Sequence, residues 1–457
     1  MKILENLAKN VFKQLNGKIE KGETSLEKIL GQAVFWLTPL VIWKDESRQN
    51  LKNAKGIFLK GTGLKLLQRI QENMSPEFRQ KFFENLVLPS IWPSKSFVNY
   101  ERKYGDRSPY TVLISPTMRC NFKCLGCYAD KYERKDDLPI EVVHRIIKEG
   151  EKFLSPAFWT ILGGEPFFWE GIWEMFEMHP NSYFQVFTNG SLLEKHLKRL
   201  KSLGNVFLQI SLEGFEEKTD ARRGKGVFKQ LVAIMDVLRE ERIPFGYSCF
   251  THQGNVFEVM GEPFVDLMIE KGALVGWYFL AMPIGGCTPE DMPTPEQRFW
   301  MKEQRERLRE TKPLFIVDFW NDAPFVNGCI AYAKGFCHIN NFGDVEPCIF
   351  CHFATDNVKD KSLEDCFNSP WFKAGRGRQP FNENRYLPCQ IIDNPDELRK
   401  SVKEGKAYPT HEGAEKVLNE FASALDKYAG KVKKLYTPEW EKDKKKLAVF
   451  CKKRLMI

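Results

Sequence analysis

The 457-residue sequence has no apolar stretch long enough to cross a membrane as a helix. Its most apolar run, Ile29–Trp43, is 15 residues long and carries Gln32, Thr38 and Pro39, where a spanning helix needs roughly 20 apolar residues. A secretory signal is also lacking: Met1-Lys2-Ile3-Leu4-Glu5 opens an amphipathic pattern, without a charged segment leading into an apolar one. The expectation is a cytoplasmic protein. No internal repeat and no low-complexity tract is present. Net charge is nearly absent from most of the chain. Lys427–Ile457 holds eleven basic residues and three acids, which accounts for the whole formal charge of +8. A neutral body argues against extended nucleic-acid binding, so no nucleic-acid partner is expected. The basic tail suits a solvated helix or contact with anionic lipid.

What is present is a chain that is 43% hydrophobic and 28% charged, ample for two to four domains. Residues 1–105 repeat apolar positions at helical spacing (Ile3, Leu4, Leu7, Val11, Phe12, Leu15), with further helices expected over Ser25–Trp43 and Leu64–Glu84. Pro89, Pro93 and Ser94–Ser96 read as a linker. Residues 106–290 alternate strand and helix signals. Six strands are expected at Thr111–Ser115, Phe158–Leu162, Phe184–Thr188, Val206–Ser211, Phe245–Phe250 and Gly276–Ala281. Helices are expected at Ile140–Phe153, Leu192–Leu203, Val227–Glu240 and Val256–Lys271. Such alternation predicts an α/β fold with a parallel sheet and a site at its C-terminal edge. Residues 291–395 lose the rhythm and read as a small metal-stapled domain; residues 396–457 return to charged helix.

Twelve cysteines is a high count for a reducing compartment, where clustered thiols read as metal ligands. Three fall in Cys120-Asn121-Phe122-Lys123-Cys124-Leu125-Gly126-Cys127, directly after the first strand. Three thiolates on one tight loop can hold three irons of a 4Fe–4S cubane and leave the fourth iron open. A zinc site would want a fourth ligand and usually paired Cys-x2-Cys units.

From this loop onward the sequence resembles the radical S-adenosylmethionine (SAM) superfamily, over roughly residues 108–290. Gly163-Gly164-Glu165-Pro166 after the second strand looks like the family's GGEP motif, and Thr188-Asn189-Gly190 after the third looks like its TNG segment. The resemblance implies a partial (βα)6 barrel of the TIM type. It gives the backbone of Gly163, Gly164 and Pro166, with Glu165, the SAM amino group. It gives Ser211 and Glu213 the ribose or carboxylate, and Arg223, in Arg222-Arg223-Gly224, the carboxylate. Thr188, Asn189 and Tyr128 join the cofactor-binding set, and Ala281-Met282-Pro283 packs near adenine. One departure is Gly126, where many members carry an aromatic residue. The implied chemistry is a 5′-deoxyadenosyl radical that abstracts hydrogen from an unactivated carbon, with ferredoxin or flavodoxin as reductant. Catalytic residues are not assigned. Tyr278, Met282 and Cys287 lie near the expected mouth of the sheet.

Cys329, thirteen residues, then Gly343-Asp344-Val345-Glu346-Pro347-Cys348 resembles SPASM or Twitch domains, which bind auxiliary 4Fe–4S clusters. Asn341-Phe342-Gly343-Asp344 reads as a hairpin turn, and Cys389 is the third ligand. Cys351, Cys337, His352 and Cys366 compete for the fourth place, with Cys351 preferred. A zinc knuckle of Cys329, Cys348, Cys351 and Cys389 is the alternative. Cys249 and Cys287 read as buried thiols, and Cys451 lies among lysines.

Three functions remain in view. Resemblance in Trp320-Asn321-Asp322 and Gly343–Cys348 favours coupling of lipid alkyl chains, as in the synthesis of membrane-spanning lipids. The apolar run Phe35–Trp43 and the basic tail would then contact a membrane surface peripherally. The alternatives are modification of a peptide or protein side chain, and a non-enzymatic iron–sulfur electron carrier. A long apolar tunnel above the first cysteines would favour lipid; an open polar groove would favour peptide.

Overall fold

The computed structural model describes residues 2–29 and 61–455. The apolar aromatic run Phe35–Trp43, and most of the helix expected over Ser25–Trp43, lie outside the described residues. All six expected strands form, each within about a residue of its expected ends. They are β1 (Val112–Ile114), β2 (Phe158–Ile161), β3 (Tyr183–Thr188), β4 (Val206–Ser211), β5 (Phe245–Thr251) and β6 (Val275–Leu280). They pair in parallel, each beside its predecessor in the chain. Side chains alternate between the two faces. Val112, Ile114, Trp159, Ile161, Phe184, Val186, Tyr247 and Cys249 join the main apolar core. Thr111, Leu113, Phe158, Thr160, Gln185, Phe187, Ser248 and Phe250 line a cavity on the other face. A parallel sheet that wraps one face around a cavity is a curled, open barrel.

The alternation does not stop at residue 290. Helix Pro295–Thr311 and β7 (Phe315–Asp318) add a seventh parallel strand beside β6. The unit is hard to read because its helix buries charge: Arg298, Lys302 and Arg305 face inward. Arg298 forms an ion pair with Asp393, and Arg305 with Asp322. Thr294 caps this helix, its hydroxyl accepting from Gln297 N at 3.2 Å while Gln297 returns the bond to Thr294 N.

The cysteine-rich segment is stitched onto the same sheet. β8 (His338–Ile339) pairs in parallel with the other edge of β1, and β9 (Val345–Glu346) pairs antiparallel with β8. The hairpin expected at Asn341–Asp344 joins them, with Gly343 at φ +91. β10 (Phe353–Ala354) and β11 (Tyr408–Pro409) form a separate two-stranded sheet.

The described N-terminal helices pack outside the barrel. Phe12 of helix Lys2–Glu20 stacks on Phe83, and Met74 and Phe78 join the main core. The expected linker is instead a helical turn, Leu88–Ile91, followed by Ser94 capping helix Lys95–Tyr104 through Phe97 N at 3.1 Å. Helix Ala422–Leu455 carries the basic tail back onto the protein. Its own Leu425, Val432 and Tyr436 are buried against the protein, and the Tyr436 hydroxyl donates to Asn321 Oδ1 at 2.9 Å. Among the described residues, no helix is long and apolar enough to cross a membrane.

Candidate active site

Cys120, Cys124 and Cys127 lie on the loop leaving β1 and line the cavity at the C-terminal edge of the sheet. The loop is tied within itself and from three other segments. Phe122 N donates to Cys120 Sγ at 3.4 Å. Asn189 Nδ2 donates to Cys120 Sγ at 3.8 Å and to Asn121 Oδ1 at 2.8 Å. Arg222 Nε donates to the Leu125 carbonyl at 2.9 Å. The Cys287 thiol donates to the Gly126 carbonyl at 3.3 Å. Burial pushes the Cys120 thiol up to about 11, so it ionises readily only opposite a cation, the state a metal ligand requires.

The glycine pair after β2 lies against this loop. A Cβ on Gly163 would stand 2.1 Å from the Thr117 carbonyl oxygen, and one on Gly164 2.1 Å from that of Arg119. Only glycine allows both approaches. Tyr128, expected in the cofactor-binding set, lines the cavity and hydrogen-bonds through its hydroxyl to both N and O of Gly163 (3.1 and 3.2 Å). Glu165 is fully buried, and the chain itself uses both carboxylate oxygens. They accept from Phe167 N (3.2 Å), the Thr188 hydroxyl (2.7 Å) and Asn189 N (2.7 Å). Burial raises its carboxyl to about 7 against the pull of those donors. Glu165 therefore positions Asn189, and Pro166 opens the short helical turn Pro166–Phe168.

Ser211, expected at the ribose or carboxylate, lines the cavity and shares a 3.2 Å hydrogen bond with Ser248. Glu213 is buried under two guanidinium groups. It accepts from Arg222 at 2.8 Å and from Arg223 at 2.5 and 2.7 Å. Burial would raise its carboxyl, but Arg223 and Arg222 hold it below the usual carboxylate range. Arg223 thus reaches the cavity already paired. Arg222, which sequence reasoning passed over for its neighbour, is the clamp on the cysteine loop. Met282 lines the cavity, whereas Tyr278 turns into the outer core with its hydroxyl on Tyr247 and on the Val259 carbonyl.

Cys329, Cys348 and Cys389 line the same cavity. Of the competitors for a fourth place, Cys351 is grouped with them: its backbone pairs with that of Cys348, and the neighbouring thiols oppose its ionisation. Cys337 is instead coupled to Cys366. Both His352 nitrogens are engaged, one with His411 at 2.6 Å and one with the Ile349 carbonyl at 2.9 Å. Burial pushes Cys329 up to about 11 and Cys389 up to about 12. Among the described residues, no three His, Cys, Asp or Glu side chains converge to hold a single metal ion, whose thiolates would stand about 4 Å apart. Cys329, Cys348 and Cys389 on one cavity wall are the ligand type an iron–sulfur cluster takes.

A buried hydrogen-bonded chain joins the segments that carry the two cysteine sets. Ser115 Oγ meets His338 Nε2 at 2.7 Å, and His338 Nδ1 meets Glu346 Oε2 at 2.6 Å. Tyr132 and Thr410 donate to Glu346 Oε1 at 2.7 and 2.5 Å. Burial works against the Glu346 carboxylate, yet His338 beside it keeps its carboxyl below the usual range.

Comparison with known proteins agrees with this arrangement. The Radical SAM superfamily model matches residues 114–257. Fe-coproporphyrin III synthase of Methanosarcina barkeri is 25% identical over 63% of this chain and 82% of its own length. The sporulation killing factor maturation protein SkfB of Bacillus subtilis is 28% identical over 65% of this chain and 72% of its own. Among solved structures, Streptococcus suis SuiB bound to S-adenosylmethionine shares the fold, with a TM-score of 0.52 and 17% identity over 71% of this chain and 83% of that one. The cavity-lining cysteine loop, the glycine pair packed against it and these similarities together show a radical SAM domain in this chain, followed by a cysteine-rich region C-terminal to its barrel.

Proposed function

We propose that the enzyme abstracts hydrogen from a carbon in a peptide or protein side chain. The observation that carries this reading is that both cysteine sets, Cys120/Cys124/Cys127 and Cys329/Cys348/Cys389, face one cavity of about 510 Å³. A side chain entering the barrel would lie within reach of both. When bound, the 4Fe–4S cluster and SAM supply the hydrogen-abstracting radical, and an auxiliary cluster supplies an electron acceptor. The chain's own residues orient and exclude: Glu165 fixes Asn189, Arg222 clamps the loop, and the apolar wall keeps water out. The relative from Bacillus subtilis is named for maturation of a killing factor, which supports a peptide substrate. The apolar cavity wall is the feature expected of lipid coupling, but neither relative compared above is named for lipid chemistry.

The test is anaerobic reconstitution with iron and sulfide, reduction, and incubation with SAM. Reduced protein is expected to release 5′-deoxyadenosine, and the Cys124→Ala variant to release none. Peptides added to the mixture are expected to speed that release and to change mass. Acceleration by alkyl lipids or by iron coproporphyrin III, with none by peptides, would defeat the reading.

A further inference from the structure

We infer that Lys334 tunes the auxiliary cluster: its ammonium is the positive charge fixed beside Cys329, and it raises the reduction potential of the cluster that Cys329, Cys348 and Cys389 would hold. The inference rests on the auxiliary-cluster part of the reading above and on no choice of substrate.

Cys329 opens a loop that doubles back on itself. Gly335 N and Phe336 N both donate to the Ile330 carbonyl, at 2.8 and 3.0 Å, and Lys334 N donates to the Ala331 carbonyl at 3.2 Å. The reversal is made by Tyr332 and Ala333, two consecutive residues with left-handed backbone, φ 59 at each. Residues other than glycine and asparagine rarely adopt that conformation, and it persists only where the surroundings fix it. Here they do. Both residues are buried. Tyr332 N donates to the carbonyl of Pro347, the neighbour of Cys348, at 3.0 Å. The Tyr332 hydroxyl donates to Oε1 of Gln390, the neighbour of Cys389, at 2.8 Å. The turn is thus fastened beside the two other cysteines, and what it places is Lys334. Five residues after Cys329, the Lys334 ammonium returns to donate to the Cys329 carbonyl at 3.3 Å.

Among the described residues, no carboxylate pairs with that ammonium. Asp106, the acid whose field reaches it, is taken by Arg376 at 2.9 Å. Asp393, which acts on Cys329 and Cys389, is taken by Arg298, with both side chains fully buried. The second cation at this corner, Arg385, turns to Asn327 Oδ1 at 2.8 Å and to the Asn382 and Glu383 carbonyls. Lys334 is half-buried, so solvent screens its charge only in part. Ile330, Ala331 and Gly335 of the same loop line the cavity and Lys334 does not, which leaves it able to act on the cluster and not on a substrate. A positive charge without a counter-ion favours the cluster form that carries one more electron. That suits the electron acceptor proposed above.

The rival role is mechanical: the ammonium closes its own loop through the Cys329 carbonyl. Charge and hydrogen bond separate in Lys334→Gln, which keeps an N–H donor and removes the charge. The experiment is a redox titration followed by electron paramagnetic resonance on anaerobically reconstituted protein. Cys120→Ala, Cys124→Ala and Cys127→Ala are combined in it, so that the auxiliary cluster alone is read. Lys334→Gln and Lys334→Met should each raise the oxidised-to-reduced ratio at a fixed potential about tenfold, a fall of roughly 59 mV for a one-electron couple. Lys334→Arg, which keeps the charge, should stay within about twofold. In protein with all its cysteines, the signal of the first cluster should be unmoved by Lys334→Gln. A Lys334→Gln potential equal to that of Lys334, an equal shift at both clusters, or loss of the auxiliary iron in both uncharged variants overturns the inference and leaves the auxiliary cluster standing. Absence of any reducible cluster in the triple-alanine protein with Lys334 intact overturns the auxiliary-cluster reading itself.

Discussion

Between Cys124 and Cys127, Gly126 sits at φ +64, and a Cβ there would lie 2.7 Å from Cys287 Sγ. The turn Ile284–Cys287 fills the place that an aromatic residue would otherwise take. Gly126→Phe is therefore expected to displace the loop and remove roughly one cluster's worth of iron, measured by iron content and the absorbance near 400 nm. Gly126→Ala should cost about 1–2 kcal/mol in chemical denaturation, from the left-handed backbone and the sulfur contact together. Adding Cys287→Ala should recover the second part and not the first. Glu165 gives a second prediction. Glu165→Gln replaces an acceptor with an amide donor facing three donors, and should cost about 1–3 kcal/mol. It should also weaken SAM binding by calorimetry, since Asn189 loses its anchor.

Two helices show what elements contribute. Helix Lys2–Glu20 is fastened by Glu20, which pairs with Arg79 and, at 2.8 Å, with Arg242. The Arg242 hydrogen bond, with Arg79 beside it, holds its carboxyl down to about 2, below the usual 4.5. A depressed carboxyl contributes stability that is complete above pH 4.5 and lost as pH falls toward 2. Urea unfolding between pH 6 and pH 3 should show this loss, and Glu20→Gln should remove about 1–2 kcal/mol at pH 6 and flatten the slope. Helix Pro295–Thr311 depends on a different device. Arg298 and Asp393 are both fully buried, and Asp393 also accepts from Cys389 N at 3.0 Å. Arg298→Met strands a buried carboxylate and should cost about 3–5 kcal/mol, while Arg298→Met with Asp393→Leu should regain much of it. This helix also marks where the sequence was hardest to read. Strands β1 to β6 were legible because Val, Ile, Phe and Trp alternate with cavity-facing residues. Pro295–Thr311 buries arginines whose partners lie far along the chain, so its inward face looks polar. In the site, the cysteine and glycine motifs were legible because their spacing is local. The roles of Glu165, Glu213 and Arg222 depend on contacts between distant loops, which no local pattern carries.

Across the whole molecule, the basic helix Ala422–Leu455 closes over the auxiliary region. Tyr386, Leu387, Val432 and Tyr436 form one apolar cluster, and Leu387 lies two residues before Cys389. Ending the chain after Phe421 is expected to uncover that cluster, lower the thermal midpoint and deplete the auxiliary iron while sparing the first site. Iron counts on wild type, the truncated chain and the truncated chain with Cys124→Ala would separate the two losses.

The pairing of β8 with β1 sets where such a protein can be cut. Its C-terminal segment supplies a neighbour to the very strand that delivers Cys120, through Leu113–His338 and Ile114–Ile339. A chimera that swaps the cysteine-rich segment between relatives at residue 290 would hand β1 a foreign edge and break the Ser115–His338 contact. Donor and recipient would have to exchange both halves of that seam together, so substrate preference in this lineage should travel by inheritance of the entire barrel and not by module shuffling.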